Sequence, residues 1–257
     1  MSTDAGYFSP RPGAAPLARQ VLAQASMEAR LMLRNGEQLL LAVVIPVIVL
    51  VAAVEGAGAL DLDFSRPPVD VFAPGVLALA VMSTAFTSLA IATGFERRYG
   101  VIKRLGSSPL PRSGLLLGKV GALLLVEALQ VAVISLVALA LGWDPALGYL
   151  PALLAVVAGT AAFAALGLFV AGVLRAEATL AAANLVYLLL MAGGAVVLPA
   201  SAYGAFGSVA VLLPSGALGE ALREACWTGG VDWPAILVLV VWAAVGAGLT
   251  ARTFRWE

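Results

Sequence analysis

The sequence predicts an all-α integral membrane protein: six transmembrane helices, an N-terminal amphipathic interfacial helix and a re-entrant segment before the last transmembrane helix. Three observations predict this. Of 257 residues, 61% are hydrophobic and 12% charged, against about 25% charged in soluble domains, and the mean hydropathy is +1.00. Apolar runs of about 20 residues, enough to cross roughly 30 Å of hydrocarbon at 1.5 Å per residue, recur along the chain. The charges cluster between those runs and are sorted by sign. A water-soluble globular enzyme is excluded.

Residues 1–16 are rich in Gly, Pro and Ala and lack an apolar core, so they read as a disordered cytoplasmic tail rather than a cleavable signal peptide. The remainder, 17–257, reads as one six-helix domain. Pro16 to Arg34 is too short and interrupted to span. On a helical wheel Leu17, Val21, Ala25, Ala29 and Met32 share one arc, and Arg19, Ser26, Arg30 and Arg34 the opposite one. Residues 17–35 are therefore expected to lie in the inner interface. Glu28 falls inside the apolar arc, where it faces a protein partner, pairs with a cytoplasmic arginine, or snorkels to water.

The first span is Leu39–Val54, extended by Glu55-Gly-Ala-Gly; the second, Val71–Phe95, is free of charge. Between the second and third spans, residues 95–114 mix charges with Tyr99, Ile102 and Leu105. That three-residue spacing predicts a short amphipathic helix ending before Gly106 and the Ser107-Ser-Pro-Leu-Pro stop. The third span, Val120–Trp143, contains Glu127; the fourth runs from Pro145 to Leu174, and the fifth begins at Ala178 after the Arg175-Ala-Glu177 break. Ala178 to Gly219 carries no charge, which is too long for one span and marginal for two. Pro199, Gly204, Gly207, Pro214 and Gly216 break it, so 199–225 is expected to hold short re-entrant or interfacial helices, with a plain extracellular loop as the alternative. Such backbone survives at membrane depth where protein or a water-filled cavity satisfies it. Trp233–Ala251 is the sixth span.

Six spans place both termini and the loops 95–119 and 175–177 on one side with thirteen of the fifteen basic residues, all but Arg66 and Arg223. The opposite segments hold Glu55, Asp61, Asp63, Asp70, Asp144, Glu220, Glu224 and Asp232. This is the positive-inside pattern; a seventh span would move Arg252 and Arg255 outside. A multi-pass protein of a cytoplasmic membrane is expected, with both termini cytoplasmic. The Ala/Gly/Leu/Val/Arg bias suggests a bacterial source.

Composition also excludes chemistry. Zero net charge gives no footprint for nucleic acid. The absence of histidine removes His metal sites and Ser-His or Cys-His nucleophile pairs. The single cysteine, Cys226, cannot form an internal disulfide. No aspartate lies within a span, so an intramembrane Asp pair is absent too. Polar groups inside the spans are the remaining candidates. Glu127 lies eight residues past Lys119, about 12 Å along the helix, and is expected to point into the bundle. Gln130 follows on the same face, and Asn184 and Tyr187 are likewise three apart in the fifth span. These four either line a shared translocation path or form interhelical hydrogen bonds, worth about 0.6 kcal/mol on average.

The loop resembles that of the permease subunits of ABC type-2 transporters, exporters of drugs, polysaccharides and lipids. Their loop runs acidic residue, Gly, Leu, Thr/Ser-Pro-Leu, Arg, then Gly-Lys opening the third span. Glu96, Gly100, Leu105, Ser108, Pro109, Leu110, Arg112, Gly118 and Lys119 fit that order, and Val101 stands where Thr is usual. The resemblance extends to the entry helix, the six spans and the Pro-interrupted helices before the last. It implies a coupling helix seated in a cleft of a separate ATP-binding cassette ATPase subunit, with the entry helix lying against the same subunit. Glu28, Glu96, Arg97, Arg98, Gly100, Lys103, Arg104, Leu105, Pro109 and Arg112 are then the coupling residues. ATP and Mg would reside in that ATPase, with no cofactor in this chain. A second permease, identical or related, membrane lipid and a drug-like, lipid or glycan substrate complete the partners. The chain has no nucleotide site of its own: Ser113-Gly-Leu-Leu-Leu-Gly-Lys-Val120 lacks the first Gly and final Ser/Thr of a phosphate-binding loop. Gly114 and Gly118 read instead as a small-xxx-small surface for close helix approach. The other functional class is a secondary transporter coupled to protons through Glu127, against which stands the lack of an evident internal repeat. A non-transporting scaffold leaves the loop unexplained.

Overall fold

The computed structural model describes residues 15–59, 64–105, 111–146 and 148–254, all helical or irregular with no strand among them. Among the described residues six helices are long and apolar enough to cross a membrane: Ala42–Ala59, Pro68–Arg98, Ser113–Ala140, Tyr149–Val173, Ala176–Gly193 and Trp233–Thr253. The proposed tail lies outside the described residues apart from Ala15 and Pro16.

The second span is the central post. Over an 18-residue stretch of it 72% of the residues are buried, against 17% in the first and fifth. Its long apolar run starts cleanly because Pro67 caps it and Pro68 supplies a fixed φ where no N–H is needed. The fourth and sixth spans pack closely along their lengths, with Gly246 of the sixth set against the Ala165–Leu166 backbone. Asp232 opens the sixth span by accepting from Ala235 N at 3.0 Å.

The entry helix, Leu17–Arg34, lies along the start of the third span. Its buried residues are Gln24, Ala25 and Ala29. A Cβ on Gly118 would come 2.5 Å from Gln24 Cγ, and one on Gly121 3.3 Å from the Ala25 Cβ. Gly118 and Gly121 therefore receive the entry helix. The opposite side of that helix is mixed rather than polar, with Leu22, Met27, Leu31 and Leu33 exposed beside Arg19, Arg30 and Arg34.

The segment after the fifth span comprises a 3-10 stretch, Ala200–Phe206, a short turn of helix, Gly207–Ala210, and a 14-residue helix, Pro214–Trp227. That last helix is packed against the second, fourth and sixth spans, and most of its residues are buried. Between Gly193 and Pro199 the backbone leaves the helical path, with Ala195 at φ 51°. The backbone groups freed there find partners on the Pro214–Trp227 helix. Arg223, 0% exposed, donates to Val196 O at 2.8 Å and Ala195 O at 3.4 Å and pairs with Glu220 at 3.0 Å. Ser215 Oγ donates to Gly194 O at 2.9 Å, and Glu220 accepts from Ala200 N at 2.8 Å. Gly75 of the second span and Gly219 let the chain pass, since a Cβ on either would meet the Val196 carbonyl within 3.0 Å. Buried carbonyls need partners, and Arg223 supplies them. This explains its place among the acidic residues, apart from the other cations; Arg66, the other exception, lies over the Trp227 ring at 5.0 Å.

Candidate functional site

The residues of the loop between the second and third spans are organised around Lys119. This ammonium is 4% exposed and sits 2.8 Å from Oε1 and 2.7 Å from Oε2 of Glu96, at the end of the second span. It also lies 2.9 Å from Oε1 of Glu28 in the entry helix, whose same oxygen accepts from Gln24 Nε2 at 2.9 Å. Glu28 thus pairs with a lysine of the third span, not with a cytoplasmic arginine or water alone. Three helices meet at one cation, and removing that cation strands two carboxylates.

Past Glu96, the second span ends in a glycine-terminated turn. Tyr99 N donates to Phe95 O at 2.9 Å, Gly100 adopts φ 69°, and its N–H reaches Arg97 O at 3.1 Å. A left-handed residue closing a helix is the glycine's preferred role. The short helix Val101–Leu105 follows. The expected Tyr99, Ile102, Leu105 stripe is divided by this turn. Tyr99 belongs to the preceding helix, stacked on Phe95 and 65% exposed, while Ile102 is buried. Lys103 is exposed, as is Arg104; Leu105 ends the short helix and Arg112 begins the third-span helix. Pro109 lies outside the described residues, with the rest of 106–110.

Arg97 and Arg98 turn toward the bundle. Arg97 donates to the carbonyls of Ala171 at 2.8 Å, Gly172 at 2.5 Å and Leu174 at 2.6 Å, capping the end of the fourth span. A cation there meets the negative end of the helix dipole. Arg98 pairs with Glu177 at the start of the fifth span and lies over Tyr99. The loop's base is thereby fastened to the entry helix and to the second, third, fourth and fifth spans.

The four intramembrane candidates do not converge. Glu127 is 1% exposed and accepts from Thr160 Oγ1 of the fourth span at 2.6 Å. Its other oxygen has no hydrogen-bond partner among the described residues. Gln130, 0% exposed, accepts from Thr84 Oγ1 at 2.9 Å and donates to Ala42 O at 2.7 Å, joining the first three spans. Asn184 and Tyr187 share a different place, a groove of about 450 Å³ between the first, second and fifth spans. Asn184 donates to Leu180 O at 2.9 Å in its own helix, and Tyr187 lies against Ser83.

The groove rests on a feature the sequence reading missed. Ser83–Ser88 of the second span is π-helix, a wider turn often found at functional sites. It places Ser83, Thr87 and Ser88 together on the groove wall. The signal was present as Ser-Thr-Ala-Phe-Thr-Ser, a polar run in the middle of an apolar span. Thr160, which holds Glu127, and Glu220, which holds Arg223, were likewise unassigned. Their partners are far away in sequence, and no local pattern reveals them.

The family model described as ABC-2 type transporter matches residues 19–227. No curated protein matches the chain. The matched range takes in the entry helix, the loop, the first five spans and the buried helix, ending at Trp227.

Proposed function

The chain belongs to the ABC-2 type transporter family, and from this premise we propose that it is one permease of an exporter driven by a separate ATP-binding cassette ATPase. As an ABC transporter permease it is a multi-pass membrane protein without enzymatic activity of its own. In the proposed assembly two permeases, identical or related, enclose a path for a drug-like, lipid or glycan substrate. Two ATPase subunits hold ATP and Mg and supply the work. The membrane is the bacterial cytoplasmic one, with both termini inside, as the charge distribution favours.

The observation that carries this reading is the Lys119 clasp. It closes the chain on itself between Glu96 and Lys119, 23 residues apart, and binds the entry helix into the same knot. A push on the short 101–105 helix is then transmitted to the second and third spans and the entry helix together, as a rigid-body switch requires. Nucleotide need act on one surface to bias the whole bundle between two packings.

Co-purification with a candidate ATPase in lipid nanodiscs tests this. A stable complex with vanadate-sensitive ATP hydrolysis is expected, and Glu96→Gln or Gly100→Ala should leave the complex assembled while uncoupling hydrolysis from transport. Normal transport by both variants would remove the coupling assignment. Glu127, buried with one unpartnered oxygen, favours a second reading as a proton-coupled carrier. Transport that persists without the ATPase and stops when the proton gradient collapses would establish that reading in place of the first.

A further inference from the structure

We propose that the groove between the first, second and fifth spans binds an uncharged amphiphile whose polar part carries hydroxyl or amide groups. This rests on the exporter reading and names the substrate class that reading leaves open. Three observations support it. The lining alternates apolar residues, Ala42, Ile45, Pro46 and Ile91, with Asn35, Ser83, Thr87, Ser88, Asn184 and Tyr187. None of the described lining residues carries a charge. At about 450 Å³ the groove falls in the range of roughly 300–1,000 Å³ typical of small-molecule sites.

The polar groups sit where a ligand's hydroxyls would be read. The π-helical turn brings Ser83, Thr87 and Ser88 to one wall of the groove, with Tyr187 against Ser83 from the fifth span. Thr87 Oγ1 has no hydrogen-bond partner among the described residues despite having almost no solvent exposure, a state that costs free energy unless a ligand or water supplies the bond. Among the described residues, the ionised Glu28, Glu96 and Lys119 lie in an adjoining cavity and pair with one another. A cationic or anionic head in the groove would face hydroxyls and amides without a counter-ion, at the cost of desolvating its charge. The first and fifth spans are the least buried of the six, which leaves the groove open to entry from the lipid side.

Site-directed labelling of the full chain in nanodiscs tests the proposal. The single native cysteine, Cys226, is 2% exposed and burial pushes its thiol up to about 12, so it is silent to maleimide at neutral pH. Ser83→Cys then reports the groove, Ser88→Cys replaces it should the first variant fail to insert, and Leu237→Cys on the exposed face of the sixth span reports the bulk bilayer. The probes are 1-monodecanoylglycerol, decyltrimethylammonium and decyl sulfate, equal in chain length and differing in head charge. Monodecanoylglycerol is expected to protect the groove cysteine at least tenfold more effectively than either charged probe, with no protection of Leu237→Cys. Tyr187→Phe should raise its midpoint about 5- to 10-fold, the loss of one hydrogen bond. Equal protection by all three probes, better protection by a charged one, or no protection overturns the proposal. ATPase association is measured on the same preparations. A complex that assembles while the neutral probe fails to protect sinks the substrate class alone; protection without ATPase association sinks the exporter reading alone.

Discussion

Lys119 shows how one side chain can commit a fold. Its ammonium is buried and held by two carboxylates from separate helices, so Lys119→Met leaves both acids without their cation. Breaking a buried pair in this way costs about 3–5 kcal/mol, and the variant should unfold at markedly lower temperature in nanodiscs. Adding Glu28→Gln and Glu96→Gln to it should restore most of the loss, because the stranded charges are then gone. Gly75 makes a second test. Its missing Cβ admits the Val196 and Val197 carbonyls, so Gly75→Ala overpacks a rigid contact and should destabilise by about 1–3 kcal/mol. Gly193→Ala has open space and should be close to neutral in the same thermal assay. Glu28 was conspicuous in the sequence as an acid on an apolar arc. Its partner was not, since Lys119 lies 91 residues away and looked like a charge marking the inner edge of the third span.

The second span is the element whose irregularity does the most. A π turn fits one residue more than an α turn in the same length of helix, so deleting Ala85 should let Ser83–Ser88 relax to α-helix. Because the π turn already accommodates that extra residue, the residues after the deletion keep their orientation, and Glu96 stays beside Lys119. The deletion variant is expected to insert and fold, and a short bis-maleimide bridge between cysteines placed at the parental positions 96 and 119 should form in it as in the parent; loss of the bridge in the deletion alone would show that the turn does not relax. Apolar length alone revealed this span as Val71–Phe95, whereas the helix runs from Pro68 to Arg98. The π turn was hidden because hydropathy counts residues and not hydrogen-bond spacing. The Pro214–Trp227 helix was half legible for a similar reason: Pro and Gly announced broken backbone, while the burial of Arg223 depended on carbonyls that no pattern places.

At the scale of the molecule, the sorting of charge makes a topology that can be measured. Lys103→Cys should react with an impermeant maleimide in inverted vesicles and Ser65→Cys in right-side-out ones, with Cys226 silent in both. Reversed labelling would overturn the orientation. The six spans and the family were readable from the chain because both rest on length, charge and short motifs, which are local. The joining of Glu127 to the fourth span and Gln130 to the first and second was not, because a helix face gives direction without naming the neighbour. One feature of this architecture also governs how it is made. The carbonyls of Ala195 and Val196 depend on Arg223, which is synthesised about 28 residues later. The end of the fifth span therefore cannot settle in lipid with its backbone satisfied while the ribosome is still short of that arginine. The fifth span, the buried helix and the closely following sixth must leave the insertion machinery as one late package, and a stall or truncation before Arg223 yields a chain marked for disposal.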